Sequence, residues 1–332
     1  VNSLSNTTSP EVVPVHEQVP LPGEGATRRR RRIALVVGIV LLLVIAGLYG
    51  SSLYFLQMFR HRVERLETTP EALGLEAESI SLVSEDGVPL KAWWIPAEEP
   101  EGVIILLHGM DGMDASSLLG HAHFLHEAGY AALALDMRAH GRSGGERIGL
   151  AFEEPLDVAA ALDWIAAQPE LEEVDVALLG ISMGGATALR TAAARPEVDA
   201  VISVSAFASI DLMVQDAMAL MMDAPPAVIA VYAPFMKLAF LTSYGVWPAT
   251  ASPLRDISQI PPRPILIAHG TDDDQIVVDH AYLLEEAADH RVEMWIVEGA
   301  GHGIYEGDAT GPEDAAYRAR ILAFLAEALA ED

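Results

Sequence analysis

The chain has 332 residues, 51% of them hydrophobic, enough to bury a sizeable core and too apolar for a disordered chain. Its 48 acidic residues outnumber 20 basic ones for a net charge of −28, and five of the basic residues form one block, Arg28 to Arg32; the acidic remainder lacks the basic face that nucleic-acid binding requires. The absence of cysteine excludes disulfides, thiolate zinc sites and a cysteine nucleophile.

Residues 1–32, rich in Pro, Ser, Thr and Glu before the arginine block, read as a disordered cytoplasmic tail. From Ile33 no charged residue occurs until Arg60. About 20 helical residues at 1.5 Å each cross roughly 30 Å of hydrocarbon, so residues 33–56 predict a transmembrane helix with the lipid bilayer as its partner. A cleavable signal peptide is the rival reading, opposed by the long region before the apolar run, by the length of that run and by the lack of an A-x-A site after it. The five arginines on one side, against Arg60, Arg62 and Arg65 on the other, place the N-terminus in the cytoplasm and the rest of the chain outside. Residues 57–77 follow as a juxtamembrane linker.

From residue 78 to 330 strand and helix patterns alternate. "ESISLV" (78–83) and "VPLKAWWI" (88–95) flank an Asp-Gly turn and predict a hairpin. Apolar strands follow at 103–107, 131–135, 175–179, 199–204, 264–268 and 292–297, with helices at 115–128, 153–167, 183–194, 277–288 and 313–330. The fold class is therefore α/β: a mostly parallel eight-stranded sheet covered by helices on both faces. Residues 207–257 break the alternation and read as a mostly helical insertion, holding eight methionine or aromatic residues between Met213 and Phe240.

"DVALLG" running into "SMGGATALR" sets Ser182 between a strand and a helix, with Gly180 and Gly184 letting the two approach closely. That context, rather than the short G-x-S-x-G pattern, makes Ser182 a candidate nucleophile on a strained corner, beside the positive end of a helix. A serine needs a base, and the base an orienting carboxylate. "PILIAHGTDDDQIV" supplies the carboxylates Asp272, Asp273 and Asp274 after one strand, and "MWIVEGAGH" supplies His302 after the next, in the chain order Ser, Asp, His. Loops at the carboxyl ends of parallel strands converge on one edge of the sheet.

With "LLHGMDG" after the third strand and "DMRAHGRSGG" after the fourth, the chain from Glu78 to Leu329 resembles the α/β-hydrolases, near the membrane-anchored serine hydrolases and the S33-type peptidase-like esterases. The resemblance implies Ser182 as nucleophile and His302 as general base. Its H-G-x-x-D spacing selects Asp273 as the orienting acid, with Asp272 next. It implies the backbone N–H groups of Met110 and Met183 as the oxyanion hole, two donors worth about 3 kcal/mol of barrier each.

Other side chains take plainer readings. His269 reads as a packing residue, His108 and His140 as loop ties, and Asp136 with Arg138 as an ion pair pinning its loop. His121, His123 and His126 share one helix without the i, i+4 pairing of a metal site between His121 and His126. Lys91, Trp93 and Trp94 read as sheet packing. Met213, Ala217 and Met221, four residues apart, read either as a packed helix stripe or as the wall of an acyl pocket under a lid. Asp111 and Asp114 beside the oxyanion loop would repel an anionic substrate.

Together these features predict a membrane-anchored serine hydrolase that cleaves an acyl ester, or a thioester or amide, of a small hydrophobic or lipid-derived molecule through an acyl-serine, without cofactor or metal. The alternatives are an S33-like aminopeptidase or amidase, and a non-catalytic hydrolase-like scaffold or binding domain at the membrane.

Overall fold

The computed structural model describes residues 24–58, 60–63, 68–110, 113–250, 252–288, 292–305, 307–308, 311–312 and 314–330. Two compact units make up the chain, Val1–Gly47 and Leu48–Asp332. Helix α1 runs Glu24–Met58, and its large apolar side chains from Ile33 to Ile45 are exposed. Helix thus begins inside the expected disordered tail and takes in Arg28 to Arg32, because arginine is a good helix former and the apolar run behind it propagates the turn. Residues 1–23 of that tail lie outside the described residues.

In the second unit β1 (Glu78–Val83) and β2 (Pro89–Ile95) form the expected antiparallel hairpin, with Ser79 opposite Trp93. Six further strands of the same sheet are β3 (Val103–Leu107), β4 (Ala131–Asp136), β5 (Val176–Ile181), β6 (Ala200–Val204), β7 (Ile265–Gly270) and β8 (Glu293–Val297). They complete one eight-stranded sheet in the order β1-β2-β4-β3-β5-β6-β7-β8, parallel from β4 to β8. Every residue of β3 to β7 is buried, whereas β1 at the edge alternates, as expected for a parallel centre covered on both faces.

The remaining helices are α2 (Leu119–Glu127), α3 (Pro155–Ala166), α4 (Met183–Ala194), α5 (Ile210–Met222), α6 (Pro226–Tyr244), the single turn α7 (Pro253–Asp256), α8 (Asp279–Ala287) and α9 (Ala315–Ala328). Val103, Ile105 and Leu107 pack toward α3, α4 and α8, while Ile104 and Leu106 pack toward α2 and α9, so the period-two strand pattern divides the core into two layers. The helix expected over 115–128 opens as a 3₁₀ turn, Ala115–Leu118, because the Asp114 carboxylate accepts from Ser116 N and Asp136 Oδ1 accepts from Ala115 N, each at 2.8 Å.

The expected insertion is the α5–α6 hairpin with the turns that follow it. Lys237 Nζ of α6 pairs with Asp211 Oδ2 of α5 at 2.7 Å. His280 of α8 ties α5 to the sheet domain: its Nδ1 accepts from Ala208 N (2.9 Å), so Nε2 carries the hydrogen and donates to Asp216 Oδ2 (2.8 Å). The end of α1 joins this hairpin. Tyr49 OH meets Thr242 Oγ1 at 2.7 Å, Ser51 Oγ meets Tyr232 OH at 3.1 Å, and Leu56, 1% exposed, borders a void of about 20 Å³ among residues of α5 and α6. From Leu48 onward, the last part of the 33–56 span therefore belongs to the folded unit. The expected linker is partly ordered, since Val63 N donates to Ala139 O at 2.8 Å.

One expected pair is not formed. Asp136 Oδ2 accepts from Arg142 Nε (2.7 Å), while Arg138, 3% exposed, is held by Asp157 and Asp86, each at 2.7 Å. The turn after β4 sends the two side chains to opposite faces, Asp136 toward the Ala115 turn and Arg138 toward α3. Beside Arg138, the fully buried Glu154 accepts from Gly149 N at 2.6 Å, while its Oε2 has no partner. Burial, followed by the Asp157 charge, pushes the Glu154 carboxyl up to about 7.

Glu154 therefore binds its proton more tightly folded than unfolded, and the stability it contributes falls as pH rises from about 4.5 to about 7. The loss is on the order of 3 kcal/mol, since each tenfold gain in proton affinity is worth about 1.4 kcal/mol. Buried neutral histidines such as His108 and His140 act in the opposite sense, so the Glu154 contribution is read as a difference: thermal unfolding of the full chain and of Glu154→Gln should show the parent losing stability relative to the variant as pH rises across this range. An unaltered pH slope in the variant would remove Glu154 as its source.

Candidate active site

The corner between β5 and α4 places Ser182 at φ 56° and ψ −116°, a conformation non-glycine residues rarely adopt. Its backbone is held from both sides: Ser182 N donates to Val204 O at 2.7 Å, and Ser182 O accepts from Ala186 N at 3.1 Å. The flanking glycines are required by contact. A Cβ on Gly180 would overlap the Gly184 carbonyl, and one on Gly184 would overlap the Leu107 carbonyl.

Of the three aspartates after β7, Asp273 is buried and Asp272 and Asp274 are exposed. Asp273 Oδ2 accepts from His302 Nδ1 at 2.8 Å, and Oδ1 accepts from Gln275 N and Ile276 N at 2.9 Å each. The bond to Asp273 puts the His302 hydrogen on Nδ1 and leaves Nε2 as an acceptor. Burial alone would raise the Asp273 carboxyl, but hydrogen bonds from His269 and His302 outweigh it and hold the group well below the usual carboxylate range.

Ser182 and His302 line the same cavity, of about 420 Å³. No hydrogen bond joins their side chains among the described residues; in unliganded sites such bonds are often long and tighten only when substrate is bound. Met110 and Met183 line this cavity too. Met183 is the first residue of α4, so its N–H has no acceptor within the helix. Met110 lies in the loop after β3, held by two buried histidines. His108 Nδ1 donates to Gly109 O at 2.7 Å while its Nε2 accepts from Met137 N at 3.1 Å, and His140 Nε2 lies 3.1 Å from Met110 O. The Gly109 carbonyl and the Met110 N–H share one peptide plane, so the His108 bond also sets the direction of that N–H. Burial lowers His108 to about 4 and His140 to about 3, so both act as neutral ties.

The rest of the cavity wall is mostly apolar, Met113, Phe207, Met213, Ala217, Leu220 and Ile276, with Asp274 and Gln275 as its polar members. Met213 and Ala217 thus serve both readings of their helix, being buried in the core and facing the cavity; the Met221 side chain lies outside the described residues. Asp114 is 1% exposed and turned into its helix cap rather than toward a ligand, and Asp111 lies outside the described residues.

Two residues at the site escaped the sequence. His269, read as packing, lies with Nε2 2.8 Å from Ile276 O and 3.1 Å from Asp273 Oδ2, so Nε2 carries the hydrogen and gives the carboxylate a second donor. Its signal was present, four residues before Asp273 at the end of β7. Ser205, at φ 50°, donates from Oγ to His302 O at 2.6 Å and anchors the histidine loop; no motif marks it.

A family model described as serine aminopeptidase, S33, matches residues 98–244. Over 121 residues the chain is 33% identical to an uncharacterized 31.7 kDa protein from the traX-finO intergenic region of Escherichia coli, covering 35% of this chain and 42% of that protein, so it spans less than half of that relative's length. It is 29% identical over 249 residues to a monoacylglycerol lipase of Mycolicibacterium smegmatis, covering 64% of this chain and 85% of the lipase. Among solved structures, an esterase of Pyrococcus furiosus superposes with a TM-score of 0.65 at 22% identity, covering 81% of this chain and 98% of the esterase, a likeness of fold.

Proposed function

This chain belongs to the α/β-hydrolase superfamily, and from that premise we propose that it is a membrane-anchored serine hydrolase cleaving an acyl ester of a hydrophobic, lipid-derived molecule. One observation carries the reading: a serine at a strained strand-to-helix corner shares an apolar cavity with a histidine whose far nitrogen is tied to a buried carboxylate.

In this mechanism His302 takes the proton of Ser182 as Oγ attacks the acyl carbonyl, and Asp273 stabilises the imidazolium that forms. The negative charge arising on the carbonyl oxygen is met by the N–H groups of Met110 and Met183 and by the positive end of α4. Collapse of the tetrahedral intermediate expels the alcohol, protonated by His302. Water, deprotonated by the same base, then attacks the acyl-serine and releases the acid. All the groups this route needs belong to the chain.

The cavity supports an acyl substrate in particular. Asp274 is the one carboxylate among its thirteen lining residues, a thin basis for holding the amine of an aminopeptidase substrate, whereas the methionine-rich wall suits an aliphatic chain. The arginine block before the apolar run supports an N-terminus in the cytoplasm and a catalytic domain outside.

A panel of p-nitrophenyl esters of graded acyl length, run on the full chain beside aminoacyl-naphthylamides, tests the reading. Turnover of the esters should exceed that of the amides and rise with acyl length until the cavity is filled. Faster cleavage of the aminoacyl amides would replace it with the peptidase.

A further inference from the structure

The exposed side of the lid is largely apolar. Between Asp223 and Arg255 the sole charged residue is Lys237, and Asp211 neutralises it. On α6, Val228, Val231 and Leu238 fall three and seven residues apart on one face and are 43%, 53% and 39% exposed; Met236, Phe240 and Tyr244 on the opposite face are buried. Trp247, just past the helix, is 50% exposed. By length and composition α6, like α1, is apolar enough to cross a membrane, yet its buried face and its fixed pairing with α5 keep it in the domain.

What covers this face is indicated by the segment that grips the lid. Tyr49, Ser52 and Leu56 fall three and seven residues apart on α1; Ser52 is fully buried, Leu56 1% exposed, and Tyr49 bonded to Thr242 of α6. Counted from Ile33, the first residue after the arginine block, about 20 helical residues traverse the hydrocarbon and end near Ser52. The residues that hold the lid are therefore those at which an anchor would leave the bilayer. Tyr49, Tyr54 (75% exposed) and Trp247 are the residue types that favour that boundary. A surface with no unpaired cation, on a chain of net charge −28, fits a lipid contact made by burial rather than by attraction to anionic headgroups.

We propose that the outer face of α6, with Trp247, beds in the outer interface of the bilayer that the anchor crosses, and that the ester reaches Ser182 from that bilayer past Leu220. Leu220, on α5 of the same lid, is 47% exposed and also lines the catalytic cavity. The inference rests on the anchored-hydrolase reading, and the test separates the two.

Because the chain has no cysteine, single cysteines report single positions. Full-length Val231→Cys and Leu238→Cys, labelled with the fluorophore NBD and reconstituted in phosphatidylcholine vesicles, should show blue-shifted emission that doxyl-labelled lipid quenches. Val83→Cys, on the exposed edge strand (66% exposed), should be quenched by aqueous iodide instead. Lid probes as open to iodide as the Val83 probe, or a Val83 probe as lipid-quenched as the lid, would overturn the proposal. Probes shielded from both quenchers, whose self-quenching is relieved by unlabelled protein, would assign the face to a second copy of the chain. In activity, Val231→Asp with Leu238→Asp should lower kcat/KM about tenfold on a bilayer-resident ester, the factor set by about 1.4 kcal/mol. The same variant should leave a water-soluble short-chain ester unaffected; an equal effect on both substrates, or on neither, counts against the lid contact. If the chain does not float with the vesicles at all, the anchor falls and this contact with it. If it floats and the lid stays in water, the contact alone falls.

Discussion

Ser182→Ala will abolish covalent labelling of the full chain by a fluorophosphonate and lower ester turnover about 10⁶-fold, the scale on which removal of a serine nucleophile ends covalent catalysis. In the proposed mechanism the hydroxyl alone opens the acyl-serine route: besides the base His302, the other cavity walls are methionines, small or aliphatic groups, an aromatic ring, one amide and one exposed carboxylate. The variant should fold, because alanine keeps the Cβ and Ser182 is held by its backbone bonds to Val204 and Ala186, not by its hydroxyl. Residual turnover above that of water would come from the Met110 and Met183 amides and from substrate binding. Labelling that survives in Ser182→Ala would place the nucleophile elsewhere and end the proposed mechanism.

Asp273→Asn should cost about 10⁴-fold in kcat, with little change in KM. The carboxylate accepts from His302 Nδ1, and in the proposed mechanism this fixes Nε2 as the nitrogen that receives the serine proton. An amide can instead present its own N–H to Nδ1 and drive the hydrogen to Nε2, where it blocks proton transfer. It also removes the charge that steadies the imidazolium. The control is Asp272→Asn: that side chain is exposed and, among the described residues, bonds to the Thr271 hydroxyl alone, at 3.2 Å, so turnover should remain near that of the parent. A loss from Asp272→Asn matching that from Asp273→Asn would reassign the acid.

Much of the site could be read in the sequence because it consists of short motifs at strand ends. Ser182, Asp273 and His302 each follow an apolar run that folds as a parallel strand, so their meeting at one sheet edge needs only the sheet. Residues whose roles depend on contacts across the fold were harder. His269, near the end of β7, and Ser205, just after β6, reach Asp273 and His302, and apart from the four-residue spacing of His269 before Asp273 nothing in their flanking residues distinguishes them from ordinary core polar groups. The expected Asp136–Arg138 pair failed for the same cause: nearness in sequence says nothing of which face of the sheet a turn assigns to each side chain.

The sequence by itself determined the alternation of strands and helices, the apolar N-terminal helix and the order of the candidate residues Ser182, Asp273 and His302, because period, glycine spacing and charge are local properties that survive without a fold. Tertiary structure alone decided that Tyr49, Ser52 and Leu56 pack onto the lid, that Asp273 has two histidine donors, and that α6 keeps Val228, Val231 and Leu238 on an exposed face. Each of these depends on which surfaces meet, and that is set by packing between segments up to about 190 residues apart.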